Sequence, residues 1–454
     1  MAKTNRRIHT VALSILCALV LALAATSPVW AQKHWVGSWT ASQQIPEPNN
    51  ALPPADLTDC TLRQIVHLSL GGNELRVRLS NRFGIAPLLL AAVHVAKPVS
   101  AASPKTVPGT DHTLTFLGST EVTIPAGADY VSDPIAFAAA PLSNLAITIY
   151  MEAPPARQTG HPGSRATSYL VHGNHVADGD LPDAKTVEHW YFISGVDVQA
   201  AEDAASIVTL GDSITDGHAS TTNGNDRWPD VLAERLQASA ETRNLAVLNV
   251  GTGGNRMLLD GLGPNAVARL DADVLAQPGV RSLIVLEGVN DLGMMTREGD
   301  VPKTEHEAII HQIEAAYEQI LARAHAHGIE VIGGTITPFV GSAFYHPGPN
   351  TEADRQAINQ WIRASGHFDA VIDFDKVMRD PAHPDRLNPK LECGDHLHPS
   401  PAGYAAMADA IPLSLFTAHR KSAAAARASF ERDEFSFLAK VAVHPEGRPA
   451  LTMR

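Results

Sequence analysis

Cysteine is scarce in this chain: three in 454 residues, Cys17, Cys60 and Cys393. A disulfide framework is therefore excluded, and stability has to come from a buried core. Cys60 and Cys393 could form one bridge, but two buried free thiols are the expectation. The chain contains no G-x-S-x-G and no G-x-x-x-x-G-K-[ST]. The first absence argues against the sharp strand-to-helix elbow of α/β-hydrolases, the second against a phosphate-cradling loop. Basic residues are also in deficit, 35 against 48 acidic. That balance opposes binding to nucleic acid or anionic lipid and suits neutral substrates.

At the N-terminus, Lys3, Arg6 and Arg7 precede an apolar stretch from Val11 to Ala25, which ends in Val29-Trp30-Ala31. The stretch is shorter than the ~20 residues of a membrane span. Residues 1–31 read as a cleavable signal peptide, and Arg6-Arg7 leaves both Sec and twin-arginine export open. The expectation is a secreted or periplasmic protein beginning at Gln32, with no stable membrane span after cleavage.

Residues 32–200 alternate as strands do. Leu75, Val77 and Leu79 interleave with Arg76, Arg78 and Ser80, and Gly71-Gly72-Asn73 suggests a hairpin turn back to the run Leu62–Leu70. Further runs at Leu88–Val95, Thr113–Leu117, Glu121–Ile124 and Leu145–Met151 complete an all-β sandwich of jelly-roll type. Trp35, Trp39 and Trp190 could stack on sugar rings, although aromatic residues in a sandwich usually fill the core. A sandwich that walls one side of a cleft is preferred to a carbohydrate-binding module. Residues 201–419 instead alternate strands with helices. Thr304 to Glu307 reads as a capping box, with Gly328 as the helix stop, and Thr351 to Ser365 as a further helix. Such alternation gives an α/β doubly wound parallel sheet. Residues 420–454 lose the rhythm and read as a peripheral or disordered tail.

Four short segments carry the chemistry. Gly211-Asp212-Ser213 follows the apolar run Ile207–Leu210; Gly254 follows Ala246–Val250; Asn290-Asp291 follows Ser282–Leu286; and Asp395-His-Leu-His398 precedes Pro399. Ligands of open parallel sheets bind at the carboxyl ends of strands, where the first three groups fall. Pro399 keeps His398 out of helix, and Ser400 with Pro401 reads as the start of the last helix. A serine hydroxyl needs an imidazole to take its proton, and the imidazole needs a third group to hold its tautomer. Asp395 stands three residues before His398, within reach of Nδ1 through a tight loop.

In this order the four segments resemble the blocks of the SGNH (GDSL-type) hydrolases. The stretches Gly211–Gly217, Asn225–Asp230 and Asp260–Asn265 resemble its secreted bacterial group with an N-terminal β-domain, which includes polysaccharide deacetylases and lipase-like acylhydrolases. The resemblance implies a flavodoxin-like strand order and a catalytic set of Ser213, Asp395 and His398. It also implies an oxyanion hole formed by the backbone N–H groups of Ser213 and Gly254 and the Asn290 amide. No cofactor and no metal are expected. A zinc cluster of Asp395, His396 and His398 is the bland competitor, and His218, His325 and His327 read as surface or core residues. The expected function is a secreted serine carboxylic-ester hydrolase that removes acetyl or short acyl groups from a polysaccharide such as xylan. A short-chain lipase or arylesterase is the alternative, and a noncatalytic carbohydrate-binding protein a third reading.

Overall fold

Five strands, Ala205–Gly211, Leu245–Gly251, Val280–Leu286, Glu330–Gly334 and Ala370–Ile372, form one parallel sheet. In the computed structural model, which describes residues 33–417, their spatial order is second, first, third, fourth, fifth. This is the flavodoxin-like doubly wound order, as the family resemblance implied. The first strand is buried along its whole length, as expected of a central parallel strand covered on both faces. Helices Trp228–Ala238, Lys303–Ala326, Pro349–Arg363 and Pro401–Asp409 supply the alternating layers. The expected signal segment with Cys17, and the expected tail 420–454, lie outside the described residues.

Helix starts differ in detail from the sequence reading. The long helix begins at Lys303 behind Pro302 and makes no side-chain cap bond, so Thr304 is not an N-cap. Pro302 takes the N-cap position, which fixes the start two residues earlier than a Thr304 cap would. The helix expected from Thr351 starts at Pro349, whose preset φ suits a first helical position. Ser400 does cap the last helix, its Oγ accepting from the Gly403 N–H at 3.3 Å.

Upstream lie two antiparallel sheets. One contains Cys60–Leu68, Ser143–Met151, Ala92–Ala96 and Ser168–His172; the other contains Trp35–Thr40, Ile193–Gln199 and Gly72–Ser80. Leu62, Val66 and Ile147 of the first pack against Leu75, Val77 and Val196 of the second, which makes a sandwich. The hairpin expected at Gly71-Gly72-Asn73 does not form. Cys60–Leu68 pairs with Ser143–Met151 and Ser168–His172, whereas Gly72–Ser80 pairs with Ile193–Gln199 in the other sheet. The chain changes sheets there because Ser69 is drawn to strand Trp35–Thr40, its N–H donating to the Ser38 carbonyl at 3.0 Å. Trp39 and Trp190 are core residues in edge-on contact at 4.9 Å. Neither offers a sugar platform. Cys60 is a buried free thiol, but Cys393 is exposed, against expectation, because its loop faces the cleft described below.

The two β-rich and α/β halves share a packed seam. Strand Leu245–Gly251 is the edge of the parallel sheet, and exposed edges invite unwanted pairing. Here Ala246 belongs to the sandwich core, and the Val247 N–H donates to Ser69 Oγ at 3.0 Å. Gly37 passes so close that a Cβ there would meet Leu248 Cδ1 at 2.8 Å.

Candidate active site

The first three strands end in register. Gly211 pairs with Gly251 on one side and Leu286 on the other, so the residues that follow each strand emerge side by side. Asp212 caps the short helix Ser213–Asp216, its Oδ1 accepting from the Ile214 N–H at 2.8 Å. Ser213 is thus the first helical residue, whose N–H has no intrahelical acceptor. Gly254 sits in the left-handed region at φ 67°, where a side chain would be strained and would also meet Leu262 at 3.2 Å.

His398 reaches the same place from the other end of the chain. Its Nε2 lies 2.8 Å from Ser213 Oγ, and its Nδ1 2.6 Å from Asp395 Oδ2. The loop that carries it is tied by its own carboxylate: Asp395 Oδ1 accepts from the backbone N–H groups of Leu397 and His398 at 2.9 and 2.8 Å. Burial disfavours charge on Asp395. The His398 ring and those N–H donors outweigh it and hold the carboxyl well below the usual range. An ionised Asp395 can only accept, so Nδ1 carries the ring proton and Nε2 accepts from the serine hydroxyl.

Asn290 is buried, and both ends of its amide are fixed. Its Nδ2 donates to the Asn255 carbonyl at 2.7 Å, and its Oδ1 accepts from the Tyr345 hydroxyl at 2.5 Å. One N–H of Nδ2 is thereby spent and the second remains. Ser213, Gly254, Asn290, Asp395 and His398 all line a single cleft of about 1090 Å³. The structure therefore brings together every site residue expected from the sequence.

Arg269 supports this platform from below. Buried beneath the strand ends, it donates to the carbonyls of Gly211 and Val250 at 3.0 and 2.5 Å, and to Asn255 Oδ1 at 2.8 Å. It thus cross-links the ends of two strands to the residue that holds Asn290. Two buried carboxylates pair with it, Asp273 at 3.1 Å and Glu287 at 3.5 Å, and Asp212 and Asp291 are buried near the same strand ends. Burial and mutual repulsion raise Asp212 and Glu287, and burial pushes Asp291 up to about 6 even though it accepts from the Met257 and Leu258 N–H groups.

His396 does not join His398: its Nδ1 faces Glu392 at 3.2 Å and its backbone takes φ 61°. Instead, His218 comes alongside, with ring centroids 4.1 Å apart. Ligand atoms of His218, Asp395 and His398 lie within 4.8 Å of one another, yet both His398 nitrogens are already engaged and Arg165 Nη2 faces His218 Nδ1 at 3.3 Å. Those donors fit proton transfer better than a cation. His218 is exposed, in keeping with a surface residue, and the surface it occupies is the cleft wall. His325 is a surface residue, paired with Asp369 at 2.8 Å. Arg165, Tyr345 and Arg269 carried no sequence signal. The residues Gln44, Glu47, Asn50 and Arg165 reach the cleft from the β-rich half.

Residues 209–406 match the model of the GDSL-like lipase/acylhydrolase family. Over this segment the chain carries a domain similar to that family, whose members are hydrolases of the esterase or lipase type. No curated protein matches the chain. Among solved structures, it is similar to a lipolytic protein of the G-D-S-L family from Desulfitobacterium hafniense, with 24% identity over 45% of this chain and 97% of that one, TM-score 0.34. A GDSL-like lipase from Bacteroides thetaiotaomicron is 19% identical over 49% and 92%, TM-score 0.35. The acetyl xylan esterase AlAXEase is 20% identical over 45% and 96%, TM-score 0.34.

Proposed function

We propose that this protein is a secreted serine carboxylic-ester hydrolase that removes acetyl or other short acyl groups from a polysaccharide such as xylan. One observation carries the reading: the unbroken relay Ser213 Oγ, His398 Nε2, His398 Nδ1, Asp395 Oδ2, at 2.8 and 2.6 Å. Ser213 Oγ attacks the ester carbonyl carbon as its proton passes to His398 Nε2. The carbonyl π electrons move to oxygen, and the Ser213 and Gly254 N–H groups with the free Asn290 N–H stabilise that oxyanion. Collapse expels the alcohol, which takes the proton from Nε2 and leaves Ser213 acylated. Water then repeats the sequence, releasing the carboxylic acid and restoring the hydroxyl. Nothing in these steps calls for a metal or cofactor.

Polar groups support a hydroxylated alcohol. Gln44 and Asn50 enter the cleft with their amides donating to Glu47 at 2.8 and 2.6 Å, a set suited to sugar hydroxyls. We take residues 32–200 and 201–419 as two domains that share this cleft. A second reading, a short-chain lipase or arylesterase, is favoured by the exposed Leu262 and Phe344 on the cleft wall. A fluorophosphonate probe should label the wild type and leave Ser213→Ala unlabelled. Acetate release from acetylated xylan, set beside turnover of p-nitrophenyl acetate and long-chain esters, should favour the polysaccharide. Labelling elsewhere, with hydrolysis surviving Ser213→Ala, would remove the proposal.

A further inference from the structure

The cleft has two unlike sides. Leu262 lies over Gly254, and Phe344 packs on Tyr345, which holds Asn290, at 4.8 Å between ring centroids. These apolar groups flank the oxyanion donors. On the other side, beside His398, stand His218 and Arg165. In the proposed reaction His398 Nε2 returns its proton to the departing alcohol, so this second side receives the alcohol half of the ester.

Arg165 comes from the β-rich half on a loop fastened to the α/β half. Its carbonyl accepts from the Asn223 N–H at 2.8 Å, the Thr167 N–H donates to Asn223 Oδ1 at 2.8 Å, and Arg227 donates to the Ser164 carbonyl. Gly163 leaves no room for a Cβ against the Asp216 carboxylate. Arg165 itself is held at φ 49°, a left-handed conformation that a residue with a side chain adopts at a cost. Its guanidinium is nonetheless poorly used. Nε donates to the Gly217 carbonyl and Nη2 to His218 Nδ1, both at 3.3 Å, and among the described residues it makes no ion pair. Asp216, the carboxylate pressed against its loop, is already bonded to His161 at 2.9 Å.

Because Arg165 donates to Nδ1, the neutral His218 ring carries its proton on Nε2. Burial, His398 and Arg165 together push His218 down to about 4, which keeps it neutral at physiological pH. The alcohol side thus presents a fixed cation with open donor positions and a neutral imidazole. A guanidinium binds a carboxylate or phosphate through two parallel N–H bonds. In a chain with net charge −13, such an anion would not be gathered by the overall field and needs a local cation.

We propose that Arg165 is a specificity-determining residue that reads an anionic group, carboxylate or phosphate, on the alcohol half of the ester. The preferred substrates are then acylated acidic sugars or phosphorylated polyols rather than neutral glycosides. This rests on the hydrolase reading above and replaces the neutral-substrate expectation drawn from net charge.

The test compares acetate release from an O-acetylated methyl galacturonoside, the uncharged methyl ester of the same sugar, and O-acetylglycerol 3-phosphate. Wild type should favour an anionic ester over the uncharged isostere by about tenfold or more in kcat/KM. Arg165→Gln should lose about tenfold or more on the anionic ester and less than about threefold on the isostere, with Arg165→Lys between. Whether the galacturonoside or the phosphate is preferred identifies the anion. Equal rates on charged and uncharged esters in wild type, or equal losses on both in Arg165→Gln, would overturn the assignment. Calorimetric binding of the same uncleaved esters to Ser213→Ala reads the discrimination without turnover. If wild type hydrolyses none of them but that variant still prefers the anion, the hydrolase reading fails and the Arg165 assignment stands.

Discussion

Asn290 is the residue whose chemistry the surrounding structure constrains most narrowly. Tyr345 fixes its oxygen and Asn255 takes one of its two N–H groups, so the remaining N–H has one direction. A preorganised donor acts mainly on charge that exists only in the transition state. Asn290→Ala should therefore lower kcat by about 10²–10³ and leave KM nearly unchanged. If Asn290 merely braced its loop, the same variant would melt earlier by about 1 kcal/mol with turnover intact. Measuring kcat and Tm on one preparation separates the outcomes, and a normal kcat would defeat the oxyanion role. The donor type at position 290 could be read from the sequence beside a strand end. The Tyr345 anchor could not, because it lies 55 residues away and meets Asn290 only in the fold.

Among the elements, the carboxyl edge of the parallel sheet concentrates the buried charge. Asp291 lies in the first turn of helix Val289–Thr296, which follows the third strand; held at about 6, it is protonated more readily in the folded chain than in the unfolded one, where the group sits at ~3.9. Its contribution to stability is complete below that lower value and is lost as pH rises to about 6. Unfolding experiments should show stability falling over this window, and Asp291→Asn should flatten the fall. An unchanged slope in the variant would assign the effect to Asp212 and Glu287, which are raised in the same direction. Strand and helix identities here were legible from periodicity, since strands of a parallel sheet read as apolar runs. The partner of the strand that follows Gly71-Gly72-Asn73 was not, and the hairpin read there does not form. Turn-forming residues say that the chain bends, whereas the choice of partner strand is made by packing, and here Gly72–Ser80 pairs across the sandwich with Ile193–Gln199.

In the whole molecule, the seam between the β-rich and α/β halves does two things. It covers the edge strand Leu245–Gly251, and it carries the 162–167 loop to the cleft. Gly37 measures how tight the seam is. Gly37→Val would drive side-chain carbon into Leu248, which is fully buried. Overpacking of this kind costs about 1–3 kcal/mol. The expected result is a lower Tm with kcat of the folded enzyme retained, since Gly37 does not line the cleft. A variant that melts like the wild type would show that the seam yields and that the halves are loosely joined.

The amino-acid sequence by itself determined the α/β class, the strand ends that carry Ser213, Gly254 and Asn290, and the loop in which Asp395 meets His398. Each is a local decision, made by apolar period, turn chemistry or a spacing of three residues. Only the tertiary structure decided which side chains stand around that set. Arg165, His218, Tyr345 and Arg269 arrive from separate elements, and their contacts follow from how the two halves pack. Such contacts leave no local trace, because a hydrogen bond between residues far apart in the chain imposes no spacing on the sequence.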